Sequence, residues 1–173
     1  MKKLAIVMLC VLVAIISVSC SNSKTETASY TWLTPTFSVD IPGGWIVDED
    51  NLEIYEENGD AKVVILVFNS PAEEDLVDFV DLYKEMLIAW GQFEDNPETV
   101  FLSEAKTQVD NSSAVSLVYL ASGFSDGVVM KHLTTLFQHQ ESFYAIECST
   151  DVDSYEEYHD QFRTITESFK EVK

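Results

Sequence analysis

The chain is short of positive charge: 10 lysines and arginines stand against 30 aspartates and glutamates, for a formal net charge of −20 over 173 residues. Such an excess repels phosphate backbones and anionic head groups, so nucleic acid is not expected as a partner. Cysteine is scarce too, with three, at positions 10, 20 and 148. The first lies inside an N-terminal apolar stretch and the second at its end, so no internal disulfide framework is expected. Cys148 sits in an apolar, strand-like run and reads as a small buried residue. The three histidines, His132, His139 and His159, include no pair at helical i, i+4 spacing, and one remaining thiol cannot complete a Cys/His zinc site. His132 alternates with Met130 and Leu136 and reads as a hydrogen-bonded histidine of a sheet. No metal ligand and no cofactor are expected.

A long apolar run is also missing. Residues 4–18 are hydrophobic but fall short of the roughly 20 residues of a spanning helix. Preceded by Lys2 and Lys3, they have the positive and apolar regions of a secretory signal, so residues 1–19 are set aside from the fold. Ser17-Val18-Ser19-Cys20 then resembles the lipobox of bacterial lipoproteins. That resemblance implies lipidation of Cys20, which would become the first mature residue and anchor the protein, facing out of the cytoplasm, to a membrane of the cell envelope. Several acyl chains, at about 0.8 kcal/mol per buried methylene, make such an anchor stable. Ser17 and Ser19 also form a small-x-small pair that an ordinary signal peptidase accepts, which would release a soluble form instead. Residues 20–29 are polar and aperiodic, as in a flexible tether.

Residues 30–173 leave room for one domain that buries about two thirds of its unfolded surface. Phe37, Val39 and Ile41 alternate with Ser38 and Asp40, a strand ended by Pro42-Gly43-Gly44 and resumed at Trp45. Asn58-Gly59 between two strand-like runs is a hairpin signal, since both residues tolerate positive φ. Residues 63–68 are apolar without alternation, so the strand they form is covered on both faces. The covering helices are visible as period-3.6 patterns. Leu76, Phe79, Val80, Tyr83, Leu87 and Trp90 follow a capping box at Ser70-Pro71-Ala72-Glu73 and end at Gly91. Tyr155, Tyr158, Phe162, Ile165 and Phe169 follow a second box at Asp153-Ser154-Tyr155-Glu156. Between the helices, residues 100–109, 114–121, 128–138 and 142–150 read as four antiparallel neighbours. The class is therefore α+β, a twisted, mainly antiparallel sheet flanked by helices.

The opening Phe37-Ser38-Val39-Asp40-Ile41-Pro42-Gly43-Gly44-Trp45, the central helix, the four-strand meander and a terminal helix ending in Ser168-Phe169-Lys170 resemble the PsbP-like proteins. The resemblance implies the α/β/α sandwich of the Mog/PsbP fold over residues 30–173 and a non-enzymatic accessory or binding role, with no catalytic set to carry over.

Other residue patterns are weighed on chemistry. Gly123-Phe124-Ser125-Asp126-Gly127 matches the nucleophile-elbow pattern, but a strand follows it where a helix is needed, so Ser125 is not read as catalytic. Acidic clusters at residues 48–53 and 151–153 lack the glycine and glutamate of an EF-hand loop. Trp32, Trp45 and Trp90 are better explained as core than as the lining of a cleft, Trp32 least so. The expected function is a lipid-anchored, non-enzymatic binding module that docks on an envelope protein complex; the alternative is a small-molecule or calcium carrier.

Overall fold

The computed structural model describes residues 26–31, 36–48, 53–69, 75–92, 98–122, 128–140 and 142–172. In chain order the elements are β1 (Glu26–Thr31), β2 (Thr36–Ile41), β3 (Trp45–Asp48), β4 (Glu53–Glu56), β5 (Ala61–Asn69), α1 (Leu76–Gly91), β6 (Val100–Val109), β7 (Ser112–Ser122), β8 (Val129–His139), β9 (Ser142–Asp151), α2 (Tyr155–Glu167) and β10 (Lys170–Val172). Seven strands form one antiparallel sheet in the order β3-β4-β5-β9-β8-β7-β6, and β1, β2 and β10 form a second, smaller one.

The sheet core is β9. From Phe143 to Thr150 each of its residues is buried, and it pairs with β5 from Ala61↔Thr150 to Asn69↔Ser142 and with β8 from Met130↔Asp151 to His139↔Ser142. Because side chains alternate along a strand, Tyr144, Ile146 and Cys148 enter one core and Phe143 and Ala145 the other. The first core joins them to Tyr155, Tyr158, Phe162 and Ile165 of α2, and the second to Phe79, Val80 and Tyr83 of α1. The helices thus cover opposite faces, as the continuous apolar run of β5 requires.

Several local expectations change. The run at residues 37–47 is split between the two sheets: β2 belongs to the small one and β3 to the large one, with Gly44 at φ 87° between them. Its amide environment is used at once, since Gly44 O accepts from Glu57 N–H at 2.9 Å. Glu26–Thr31, part of which falls in the stretch expected to be a tether, pairs with β2 as a strand, and residues 20–25 lie outside the described residues. Ladder bonds are made by the backbone, and a polar sequence forms them as readily. At the other end, α2 stops at Glu167, and Lys170–Val172 adds to β2 as a strand.

Both capping boxes also differ. The boxed residues 70–73 lie outside the described residues, and α1 is capped by Asp75, whose Oδ1 accepts from Val77 N–H at 2.8 Å and Asp78 N–H at 3.0 Å. Ser154 caps α2 without a side-chain hydrogen bond; its own backbone is already helical, with φ −89° and ψ −9°, which points the hydroxyl away from the free amides. At the β4–β5 hairpin, Gly59 alone adopts positive φ, 85°, and Asn58 does not. The two-residue turn with both φ values positive is instead Asp110-Asn111, at 44° and 63°, between β6 and β7.

The first core is closed by aromatics. Phe169 stacks on Phe37 at 5.2 Å and meets Phe137 and Tyr144 edge-on at 4.9 and 5.1 Å. Trp45 is buried there, edge-on to Tyr158 and Phe162, and its Nε1–H donates to Gln161 Oε1 at 2.6 Å. We expect Phe169→Ala to cost about 3–5 kcal/mol, while Lys170→Ala, on an exposed neighbour, stays within about 0.5 kcal/mol. Urea denaturation of both variants is the check; equal midpoints would remove Phe169 from the core's keystone position.

Candidate functional site

The two faces of the sheet differ in chemistry. Beneath α2 the buried polar groups include the hydroxyl of Thr166 beside Cys148, whereas beneath α1 the polar cluster includes a carboxylate and an imidazole. Glu147 of β9, 5% exposed, accepts from Tyr83 O–H of α1 at 2.9 Å through Oε2, and its Oε1 lies 3.1 Å from Nδ1 of His132 on β8. His132 is 2% exposed and stacks flat on Tyr119 of β7, ring centroids 4.8 Å apart. Tyr119 O–H is 3.0 Å from Thr134 Oγ1. Alternation explains the convergence: His132 and Thr134, Tyr119, and Glu147 are the α1-facing positions of three neighbouring strands, and Tyr119↔His132 and Thr134↔Glu147 are register partners.

The cluster forms the floor of a cavity of about 160 Å³ under the last turns of α1, walled by Leu66, Met86, Leu87, Trp90 and Ala121. His132 Nδ1 and Glu147 Oε1 approach each other without hydrogen-bond alignment, and neither ring nitrogen of His132 has a hydrogen-bond partner. That is an uncommon state for a buried ring nitrogen. Burial holds the phenols of Tyr83 and Tyr119 well above the usual tyrosine value, and the Glu147 carboxylate raises them further.

The residues singled out from sequence fall in different places. His132 is buried as expected, but its Nε2 lacks the hydrogen bond expected of it. His139 ends β8, with Nδ1 3.3 Å from Ser112 Oγ, and His159 is half-exposed on α2; the three are not brought together. Cys148 is fully buried, and burial pushes its thiol far up. Among the described residues no three His, Cys, Asp or Glu side chains converge on a metal-sized point, and none of the helices is long and apolar enough to cross a membrane. Cys20, Trp32, Ser125 and most of the acidic run at 48–53 lie outside the described residues. Trp45 anchors the core, and Trp90, 45% exposed, is the tryptophan that lines the cavity. Glu147, Tyr83 and Tyr119 escaped the sequence reading, although a carboxylate inside the apolar run Phe143-Tyr144-Ala145-Ile146-Glu147-Cys148 was a usable signal.

A second surface stands out beside the cavity. Strand β6 is the edge of the large sheet, and its residues are exposed from Val100 to Gln108, with Val100, Phe101 and Leu102 forming an apolar triplet. It is tied to α1 by the Lys84–Glu104 ion pair and by Thr99 Oγ1–H donating to Leu87 O at 2.9 Å.

A seven-stranded antiparallel sheet held between two helices, with a small sheet on one flank, is an α+β sandwich of the PsbP/Mog type. The chain belongs to the PsbP-like protein family, whose model matches residues 14–171. Cyanobacterial PsbP (CyanoP) of Synechocystis sp. PCC 6803 is similar with a TM-score of 0.65 and 14% identity, over 88% of this chain and 96% of that one. LpqN, involved in cell envelope biogenesis of Mycobacterium tuberculosis, gives 0.61 and 12% over 86% and 91%. The Ran-binding protein Mog1p of Saccharomyces cerevisiae gives 0.56 and 8% over 85% and 96%. At these identities the likeness is one of fold. No curated protein matches the chain in sequence.

The buried phenols set an alkaline limit. Folded Tyr83 and Tyr119 keep their protons at a pH where tyrosines of the unfolded chain, with an ordinary value of about 10, release theirs. Their contribution to stability is therefore intact below about pH 10 and lost as the pH rises beyond it. The urea midpoint should fall between pH 9 and 11, with a shallower fall in Tyr83→Phe; an unchanged midpoint across that range would contradict the burial of these phenols.

Proposed function

We propose that this protein is a non-enzymatic binding module, tethered to the cell envelope by lipid on Cys20, that docks on an envelope protein by strand addition to β6. The observation that supports docking is the edge itself: exposed on both faces from Val100 to Gln108 and carrying the triplet Val100, Phe101 and Leu102. Exposed edge strands with apolar side chains are templates for an extended segment of another chain, whose backbone supplies the missing ladder bonds. The acidic surface favours a partner segment flanked by lysine or arginine. A non-catalytic role is supported by the cluster under α1, where His132 Nε2 pairs with no hydroxyl or thiol and Cys148 is inert in the opposite core. A small-molecule carrier is a second reading, favoured by the cavity and its polar floor.

A photo-crosslinking residue at Leu102 should capture one defined protein in native membranes, and the same residue at Glu157 on the exposed side of α2 should not. Equal capture at both positions, or none at Leu102, would defeat docking at β6. For the tether, Cys20→Ala should abolish acyl labelling and membrane association, and retention of both would overturn lipidation.

A further inference from the structure

The cavity under α1 has the chemistry to be selective. Its volume, about 160 Å³, is close to the ~150 Å³ apolar cavity known to take benzene, so one six-membered ring with a short arm fits. Leu66, Leu87 and Met86 supply apolar walls, and Trp90 and Tyr83 supply aromatic ones. The floor is a carboxylate. Glu147 has about four lone-pair positions on its two oxygens, and the structure fills one with Tyr83 O–H and sets His132 against another. Capacity is left for further donors. Neither ring nitrogen of His132 has a hydrogen-bond partner, so the buried imidazole beside the carboxylate also has unmet hydrogen-bonding capacity.

What the Glu147 carboxylate lacks is further hydrogen-bond donors, and a positive charge suits it better than a neutral group. An ammonium carries three N–H donors and no acceptor, matches a carboxylate and interacts favourably with aromatic faces. The net charge of −20 adds a long-range attraction for cations that would raise their local concentration. An anion would meet the Glu147 carboxylate in an apolar surround, where like charges are costly. We propose that the cavity binds a small organic amine, a single ring bearing a primary ammonium on a short arm, with the ammonium on Glu147 and the ring between Leu66, Leu87 and Trp90. This assignment rests on the carrier reading and is independent of docking at β6.

The experiment is titration calorimetry on the full-length protein in detergent with three ligands of one shape: benzylamine, benzyl alcohol and benzoate. Benzylamine should bind saturably, at least tenfold more tightly than benzyl alcohol, and benzoate should give no heat. Glu147→Gln should reduce the amine to the level of the alcohol. Leu87→Trp, which fills the cavity and leaves the carboxylate in place, should abolish binding of both while the protein remains folded by circular dichroism. Alcohol binding equal to amine binding, or preferred binding of benzoate, would overturn the amine assignment and leave a carrier of another ligand class. Absence of heat with all three would overturn both the assignment and the carrier reading.

Discussion

A strand buried on both faces constrains everything around it. With each residue from Phe143 to Thr150 inside, β9 needs a ladder partner on each edge and a cover on each face. Strands β5 and β8 supply the first, and α1 and α2 the second. Backbone donors and acceptors left unpaired at that depth would each cost about 1–3 kcal/mol. The nine and ten register pairs on the two sides of β9 are therefore a condition of burial rather than a decoration of it. The small sheet extends the same logic: β2 brings Phe37, Val39 and Ile41 over the α2-side core, and β10 pairs with β2 just after Phe169 is inserted.

The two helical covers are not equivalent. The α2 stripe is aromatic and fully engaged, from Tyr155 to Ile165, and its core is closed by stacked rings. Helix α1 engages its first half in this way, through Phe79, Val80 and Tyr83, but leaves Met86 and Trp90 standing partly in solvent. Under that looser end lie Glu147 and His132. A buried carboxylate beside an imidazole is poor evidence for stability, because taking the polar groups out of water offsets their attraction. The polar cluster lies where the helix does not fill its groove.

Periodicity made much of this legible before any coordinate. The α2 stripe, the buried apolar run of β5, the four-strand meander and the end of α1 at Gly91 follow from spacing two or 3.6 residues apart. Helix starts were less so. A box motif at residues 70–73 competes with Asp75 a few residues on, and short-range patterns cannot decide which side chain finds the free amides. The division of residues 37–47 between two sheets was equally hidden, since alternation says that a strand is half-buried and not which neighbour it pairs with.

By itself the sequence determined the class of fold, the two covering faces and the acidic field, because these depend on side-chain type and on contacts near in the chain. It also carries the lipobox-like segment at Cys20. Tertiary structure alone decided that Tyr83, Tyr119, His132 and Glu147, up to 64 residues apart in the case of Tyr83 and Glu147, share one site. Their meeting depends on strand register and on how deeply α1 settles on the sheet. Those are long-range quantities, set by the packing of Phe79 against Phe143 and Phe68 and by no local pattern.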